Sequence, residues 1–351
     1  MSLQTAHNHL CQCSIVPRDV LKRFSEDIKL TEKERKCFSD TALIDGELRK
    51  LRAQAGKLTN IINTLSLAPV VIAGTPAITV ANCNHSQTLP GTPISTPGSS
   101  TDLTIKRAYD ETKAVAQFYK NVFGRNSIDN AGMTLGSSVH YGTNYNNAFW
   151  NGMRMAYGDG DGNIFIDFTQ STDVICHELT HGVTQHTLQL AYSNEAGGLN
   201  ESLSDVFGSM FRQWRLDQMV NQADWLIGHD IMGPGATARH FTCLRDMANP
   251  GAVHCLAPQP SHFSEYKPGM DPHYSSGIAN FAFYKIAMAI GGKSWEKAGQ
   301  IWYKAMVDFK PSPNMKMKSF ANRTRKLTAS MYPANAALRT AVDAGWLAVG
   351  L

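Results

Sequence analysis

Charge is absent where a membrane-bound reading would need it to be. From Leu58 to Thr101 the chain carries no Asp, Glu, Lys or Arg. A stretch of that kind crosses a bilayer only as an unbroken apolar helix of about 20 residues. Asn63, Pro69, Gly74 and Pro76 interrupt it, so it reads as short strands and turns and no membrane span is expected. A secretory signal is also missing: Met1 to Cys13 has no apolar stretch. The expectation is a cytoplasmic protein or one exported by a non-classical route. Cysteine is sparse. Cys11, Cys13, Cys37, Cys83, Cys176, Cys243 and Cys255 are odd in number and scattered, which excludes a disulfide framework and leaves open whether Cys243 and Cys255 pair. Cys11 and Cys13 lie near His7 and His9, but residues this close to a terminus read as disordered and not as a metal site. A basic cluster is lacking too. The net charge is only +4, which gives no electrostatic case for a nucleic-acid partner.

What is present is a globular composition, with 43% apolar and 18% charged residues over 351 positions. That length predicts two or three structural units. Charge density marks the first. Nearly half the residues between Arg18 and Lys57 are charged. Val20, Leu21, Phe24 and Ile28, then Ile44, Leu48 and Leu51, recur at helical spacing, which predicts two or three short amphipathic helices. A loop-rich, strand-forming stretch follows. A helix is expected from Leu103 to Phe123, ending at Gly124, and strands near Thr134–Tyr141 and Arg154–Tyr157. The run Gly158-Asp159-Gly160-Asp161-Gly162 reads as a tight hairpin turn. From Thr172 onward the pattern is helical, with helices at about Asp173–Leu188, Gly198–Arg215 and Ser276–Ile290. Further helical patches fall near Trp295–Met306, Met317–Met331 and Asn335–Ala344.

The sharpest chemical signal is His177-Glu178-Leu179-Thr180-His181. Four residues apart on a helix, two imidazoles share one face and can converge on a tetrahedral Zn²⁺. Glu178 sits one step round the helix, badly placed as a ligand but able to reach a water at the metal. Zn²⁺ lowers the pKa of such a water to about 7, and a carboxylate can take its proton. Glu201, 20 residues after His181, would complete a His₂Glu set with one position open, as catalytic zinc requires. Asp205, one turn further, could hold the outer N–H of a zinc-bound imidazole.

These residues, with Asn194 to Gly208 after them, closely resemble the thermolysin family of zinc peptidases. Val139-His140-Tyr141, Tyr145 to Gly152, Tyr157 to Gly162, Leu244-Arg245, His273 and Ser276-Gly277-Ile278 match in the same order. The resemblance covers roughly Asn82 to the C-terminus. It implies an α+β fold with a two-lobed catalytic domain, a mixed strand-and-helix lobe over 59–188 and a helical lobe over 189–351. It further implies a zinc-dependent endopeptidase acting on peptides or proteins. By resemblance, His177, His181 and Glu201 are the ligands and Glu178 the general base. His273 and Tyr192 resemble the pair donating to the tetrahedral oxyanion, where charge develops in the transition state. Asn147 and the Ala148 backbone look like the peptide-binding edge, and Arg245 like the grip on the leaving-side carbonyl. Phe165, Phe168, Val174 and Leu244 fall where the family lines an apolar pocket, which implies cleavage on the N-terminal side of hydrophobic residues.

The chain also departs from the family. Asp173 and Asp224 match the carboxylates of its double calcium site, but Arg212, Leu226 and His229 stand where further acids belong. Ca²⁺ needs six to eight oxygens, so that site is expected to be absent, with Arg212 pairing Asp173 or Asp224. Asp159 and Asp161 make no EF-hand, because Ile164 and Gln170 stand where Gly and Glu are required. Asp271 is a candidate to orient His273. Ser14-Ile15-Val16-Pro17, followed by Leu21, is similar to the start of the protealysin branch. That similarity implies an inhibitory helical pro-segment over 1–58, removed between about Arg52 and Val70. Two other readings of the same zinc site are a non-catalytic zinc-binding module and an exopeptidase. The first is disfavoured because Glu178, His273 and Tyr192 are all present, and the second because no charged anchor for a substrate terminus is evident.

Overall fold

A computed structural model describes residues 13–62 and 74–351, with side chains over 13–50 and 74–351. Cys11, His7 and His9 lie outside these residues, as do positions 63–70 of the expected cleavage window. The N-terminal segment opens with a short strand, β1 (Cys13–Ser14), and two helices, α1 (Arg18–Ser25) and α2 (Glu32–Ile62). One 31-residue helix thus follows α1, where the expectation of two or three short helices in this segment left one or two. Its start is closed reciprocally by Thr31 and Glu34: Thr31 N–H donates to Glu34 Oε2 at 2.7 Å, and Glu34 N–H to Thr31 Oγ1 at 3.3 Å. The apolar stripe on α1 is Val20, Leu21 and Phe24, all buried. Ile28, expected to extend it, is 91% exposed because the helix has already ended at Ser25.

The first lobe is a six-stranded sheet carrying α3 (Leu103–Phe123) and α4 (Thr172–Gln185). Its other strands are β2 (Ile78–Asn82), β3 (Thr92–Pro93), β4 (Leu135–Val139), β5 (Ala148–Trp150) and β6 (Met155–Tyr157), in the order β1-β5-β6-β4-β2-β3. β1 is antiparallel to β5, with Cys13 opposite Trp150 and Ser14 opposite Phe149. The N-terminal segment therefore supplies the edge strand of the sheet. α3 has the bounds its caps dictate: Asp102 accepts from Thr104 and Ile105 N–H, and Gly124 closes the end at φ +69°. The Gly158–Gly162 run is not a hairpin, since nothing after it pairs back on β6. Asp161 instead gathers the N–H groups of Asn163, Ile164 and Phe165 at 2.9–3.1 Å, and Phe165 bridges to Met232.

The second lobe is helical: α5 (Asn194–Arg215), α6 (Pro234–Ala238), α7 (Pro272–Ile290), α8 (Lys297–Val307), α9 (Met317–Met331) and α10 (Ala336–Leu347), with a small ribbon of β7 (Leu226–Ile227) and β8 (Arg245–Asp246). α5 and α7 each begin about one turn earlier than their apolar spacing suggested. At α7 the reason is local: Asp271 caps the N–H of His273, and Pro272 takes the first helical position. α4 packs on α5, α3 and β5, and α5 packs on α7. The α4–α5 approach is close. A Cβ on Gly208 would lie 2.7 Å from the Asp173 carbonyl oxygen, so only glycine allows this crossing. Among the described residues no helix is long and apolar enough to cross a membrane.

Candidate active site

α4 and α5 meet at three side chains. The Nε2 atoms of His177 and His181 are 3.0 Å apart. Glu201 places Oε2 3.4 Å from His177 Nε2 and Oε1 3.5 Å from His181 Nε2. All three residues are buried. Their outer nitrogens are engaged: His177 Nδ1 lies 2.9 Å from Asp205 Oδ1, and His181 Nδ1 lies 3.0 Å from Asn200 Oδ1 and 3.1 Å from Ser204 Oγ. With Nδ1 donating to these oxygens, each Nε2 lone pair points into a space faced by a carboxylate. Glu201 Oε2 has no hydrogen-bond partner. Acceptors facing acceptors in a buried pocket call for a cation, and a His₂Glu set suits Zn²⁺.

Asp205 is the hub beneath this cluster. Arg245 donates to it twice, at 2.8 Å each, and Asn280 Nδ2 once at 2.9 Å. Burial opposes charge on Asp205, but the Arg245 guanidinium and His177 outweigh it and hold its pKa down at about 2. Glu178 has the opposite character. Burial pushes its pKa up to about 8, against the lowering pull of His177 and of a backbone hydrogen bond from Trp150. It is a carboxylate with raised proton affinity, as a general base needs.

Two donors face the cluster from the far side. The Tyr192 hydroxyl donates to Glu201 Oε1 at 2.5 Å and lies 3.2 Å from His273 Nε2. Asp271 Oδ1 accepts from His273 Nδ1 at 2.7 Å, the orienting contact its sequence position suggested. His273 Nε2 is 2.6 Å from the Ser14 carbonyl oxygen, so the N-terminal segment lies in the site. The next residues continue the pattern. Ile15 N–H donates to Ala148 O at 3.1 Å, and Ile15 O accepts from Arg245 Nη1 at 3.0 Å. Val16 N–H donates to Asn147 Oδ1 at 2.9 Å, and Asn147 Nδ2 donates back to Val16 O at 3.2 Å. Asn147 Nδ2 also donates to Asp45 of α2 at 2.9 Å. Phe165, Phe168, Val174 and Leu244 are wholly buried in the same apolar cluster as Ile15 and Val16. The Phe165 ring meets that of Phe38 of α2 at a tilt of 56°, with centroids 6.2 Å apart.

Five contributors escaped the sequence reading. Asn200 and Ser204, beside Glu201 on α5, were within reach of helical spacing. Asn280, Asp45 and Gln259, whose Nε2 donates to His273 O at 2.6 Å, arrive from distant elements and leave no local signal. Elsewhere, Arg212 pairs with Asp224 at 3.4 Å and also with Asp230. Asp173 accepts instead from Gly228 N–H at 2.7 Å and from Ser171. Cys243 and Cys255 are both free thiols, with their sulfurs 3.6 Å apart.

Known proteins share this architecture. Two family models match, the thermolysin metallopeptidase catalytic domain over residues 78–185 and its alpha-helical domain over 188–351. An extracellular metalloprotease of Pectobacterium carotovorum subsp. carotovorum is 37% identical, covering 97% of this chain and 96% of its own. A bacillolysin of Bacillus subtilis is 38% identical over 79% of this chain, which spans only 51% of that longer protein. The precursor of protealysin from Serratia proteamaculans superposes with a TM-score of 0.81 at 35% identity, covering 96% of this chain and 99% of that one. Family models, relatives and geometry converge: the chain belongs to the thermolysin metallopeptidase family, as the precursor of a zinc metalloendopeptidase.

Proposed function

We propose that His177, His181 and Glu201 hold the zinc, that Glu178 moves the proton, and that the N-terminal segment is an intramolecular inhibitor lying in the substrate groove. The observation that carries this is the convergence of two imidazole Nε2 atoms and one carboxylate within 3.5 Å, with both outer nitrogens already engaged. Zinc bound there would supply a Lewis acid for the scissile carbonyl and acidify water. Glu178 takes a proton from the attacking water and delivers it to the leaving nitrogen. His273 and Tyr192 donate to the oxygen on which negative charge develops. Arg245 grips the next carbonyl, Asn147 and the Ala148 carbonyl align the extended backbone, and Asp205 fixes both His177 and Arg245.

The segment supports this assignment because it meets the same groups a substrate needs, at Ser14, Ile15 and Val16. Its apolar pair Ile15 and Val16 is buried in the same hydrophobic core as Phe165, Phe168, Val174 and Leu244, which favours cleavage before a hydrophobic residue. The double calcium site of larger relatives is absent on this reading, since Arg212 places a cation among Asp224 and Asp230 where calcium would sit. The test is mass spectrometry of the purified chain after incubation, alongside metal analysis. Wild type should lose the segment and cleave casein in a phenanthroline-sensitive way, while Glu178→Ala should keep both zinc and segment. One bound zinc with no peptide cleavage by the shortened protein would refute the proposal.

A further inference from the structure

A second group of metal-binding side chains shares no residue with the His–Glu cluster and stands beside Arg245 on the chain. Cys243, His254 and Cys255 each bring one ligand atom, a sulfur or a ring nitrogen, within 4.8 Å of the other two. Cys243 and Cys255 are buried free thiols, and their sulfurs are 3.6 Å apart. Backbone pairing sets this approach, not the sulfurs. Cys243 is bridged in parallel to Cys255. Thr242 N–H donates to His254 O at 3.0 Å, Leu256 N–H to Cys243 O at 2.9 Å and Ala257 N–H to Leu244 O at 3.0 Å. His254 directly precedes Cys255, and its Nε2 lies 3.2 Å from Asp246 Oδ2. Asp246 is itself fixed, since its Oδ1 accepts from Ala248 and Asn249 N–H at 2.8 and 3.0 Å.

The sulfur spacing matches the edge of a metal tetrahedron. With Zn–S about 2.3 Å, two thiolates on one zinc stand roughly 3.8 Å apart. A disulfide would need the sulfurs to close to about 2.05 Å, and it would give the imidazole and carboxylate beside them no part to play. Two thiolates and an imidazole suit a soft divalent ion and neutralise its charge, which a buried site requires. The His254 side chain is 36% exposed, so its ring has room to turn onto the ion. We propose that Cys243, His254 and Cys255 form a second zinc site. Binding releases two protons: each thiol passes its proton to buffer as its sulfur bonds the ion. Three protein ligands leave a fourth position for water, and Asp246 orients the His254 ring. The ion ties residues 254–257 to residues 242–245, and so braces the strand from which Arg245 reaches Asp205. This site does not rest on the assignment of His177, His181 and Glu201.

The test uses the full-length Glu178→Gln precursor, which cannot process itself, purified under a phosphine reductant and dialysed against zinc. Metal analysis should give two zinc ions per chain, and X-ray absorption should show sulfur at about 2.3 Å. Adding His177→Ala and His181→Ala should remove one ion and raise the sulfur count per remaining zinc. Adding Cys243→Ser and Cys255→Ser instead should remove the other ion together with its sulfur signal. His254→Ala alters a partly exposed ring and spares the buried pair, so it guards against misfolding of the double serine variant. It should weaken the second zinc by about tenfold or more in competition with a chromophoric chelator. One zinc per chain with no sulfur in its shell overturns the proposal, as does a sulfur signal unchanged by Cys243→Ser with Cys255→Ser. So does a Cys243–Cys255 disulfide found by peptide mapping of the zinc-loaded chain. A precursor holding a single, sulfur-bound zinc supports this site and refutes the catalytic assignment instead, so the two failures are distinguishable.

Discussion

The junction between α4 and α5 and the junction between the N-terminal segment and the cleft use the same materials for opposite ends. At the first, glycine contact brings two helices together over fully buried groups, and Asp205 binds His177, Arg245 and Asn280 at once. At the second, backbone hydrogen bonds from three residues join a scatter of polar ties: Asp45 to Tyr145 and Asn147, Asp19 to Tyr274, Asp27 to Arg239 and Glu34 to Asn163. Of these ties only Asp27–Arg239 is an ion pair, and a partly solvated pair contributes little on its own. On the proposed function, the first junction persists and the second is given up.

Breaking each junction should have distinct effects. Removing the base by Glu178→Gln, in chains whose segment has been cut in trans by wild-type enzyme, should lower kcat/KM by about 10²–10⁴-fold while the zinc at His177, His181 and Glu201 stays in place; loss of that zinc as well would show that Glu178 is a ligand. Gly208→Ala puts a methyl against the Asp173 carbonyl and should cost about 3 kcal/mol, read as a fall in Tm in precursor and processed enzyme alike. Asp45→Ala strips a buried acceptor from Asn147 and Tyr145 and should weaken docking of the segment by about 2 kcal/mol. It should accelerate processing and leave the processed enzyme's kcat/KM unchanged; an altered kcat/KM would place Asp45 in the persistent part of the molecule.

The smallest effect concerns pH. Hydrogen bonds donated by His140 to Asp159, and then to Asp102, lift its pKa to about 9 against burial. A raised histidine pKa stabilises fully below its unfolded value near 6.5, and the contribution fades as pH rises through 9. The expected loss is about 1–2 kcal/mol, discounted because the pair is partly solvated. Denaturation curves at pH 6 and pH 9.5 should show it with or without the N-terminal segment, and His140→Ala should flatten it.

The site was legible where chemistry follows helical spacing. His177, His181, Glu201 and Asp205 each sit at an offset that only a helix makes meaningful, and α3 carries both its stop signals in plain residues. Legibility failed where the cause is tertiary. Nothing in Cys13-Ser14 favours a strand; β1 exists because β5 offers an unpaired edge. Its closeness to a terminus suggested disorder for Cys13, yet that edge buries it. The separate apolar run Ile44, Leu48 and Leu51 suggested a short helix where one long helix stands, since repeated Glu, Lys and Arg hold a helix even across Gly46. Ile28 fitted a period whose helix had already stopped. Asn280 and Gln259 act across contacts that no local pattern reveals.

β1 has one more consequence. While it is in place, the outer row of N–H and C=O groups on β5 is satisfied from within the same molecule. Once it leaves, five strands remain and that row is raw, ready to template any extended chain that arrives. For a protease that capture is its occupation. For a newly made polypeptide at high concentration an open edge is a hazard, and β1 covers that edge for as long as it stays paired with β5.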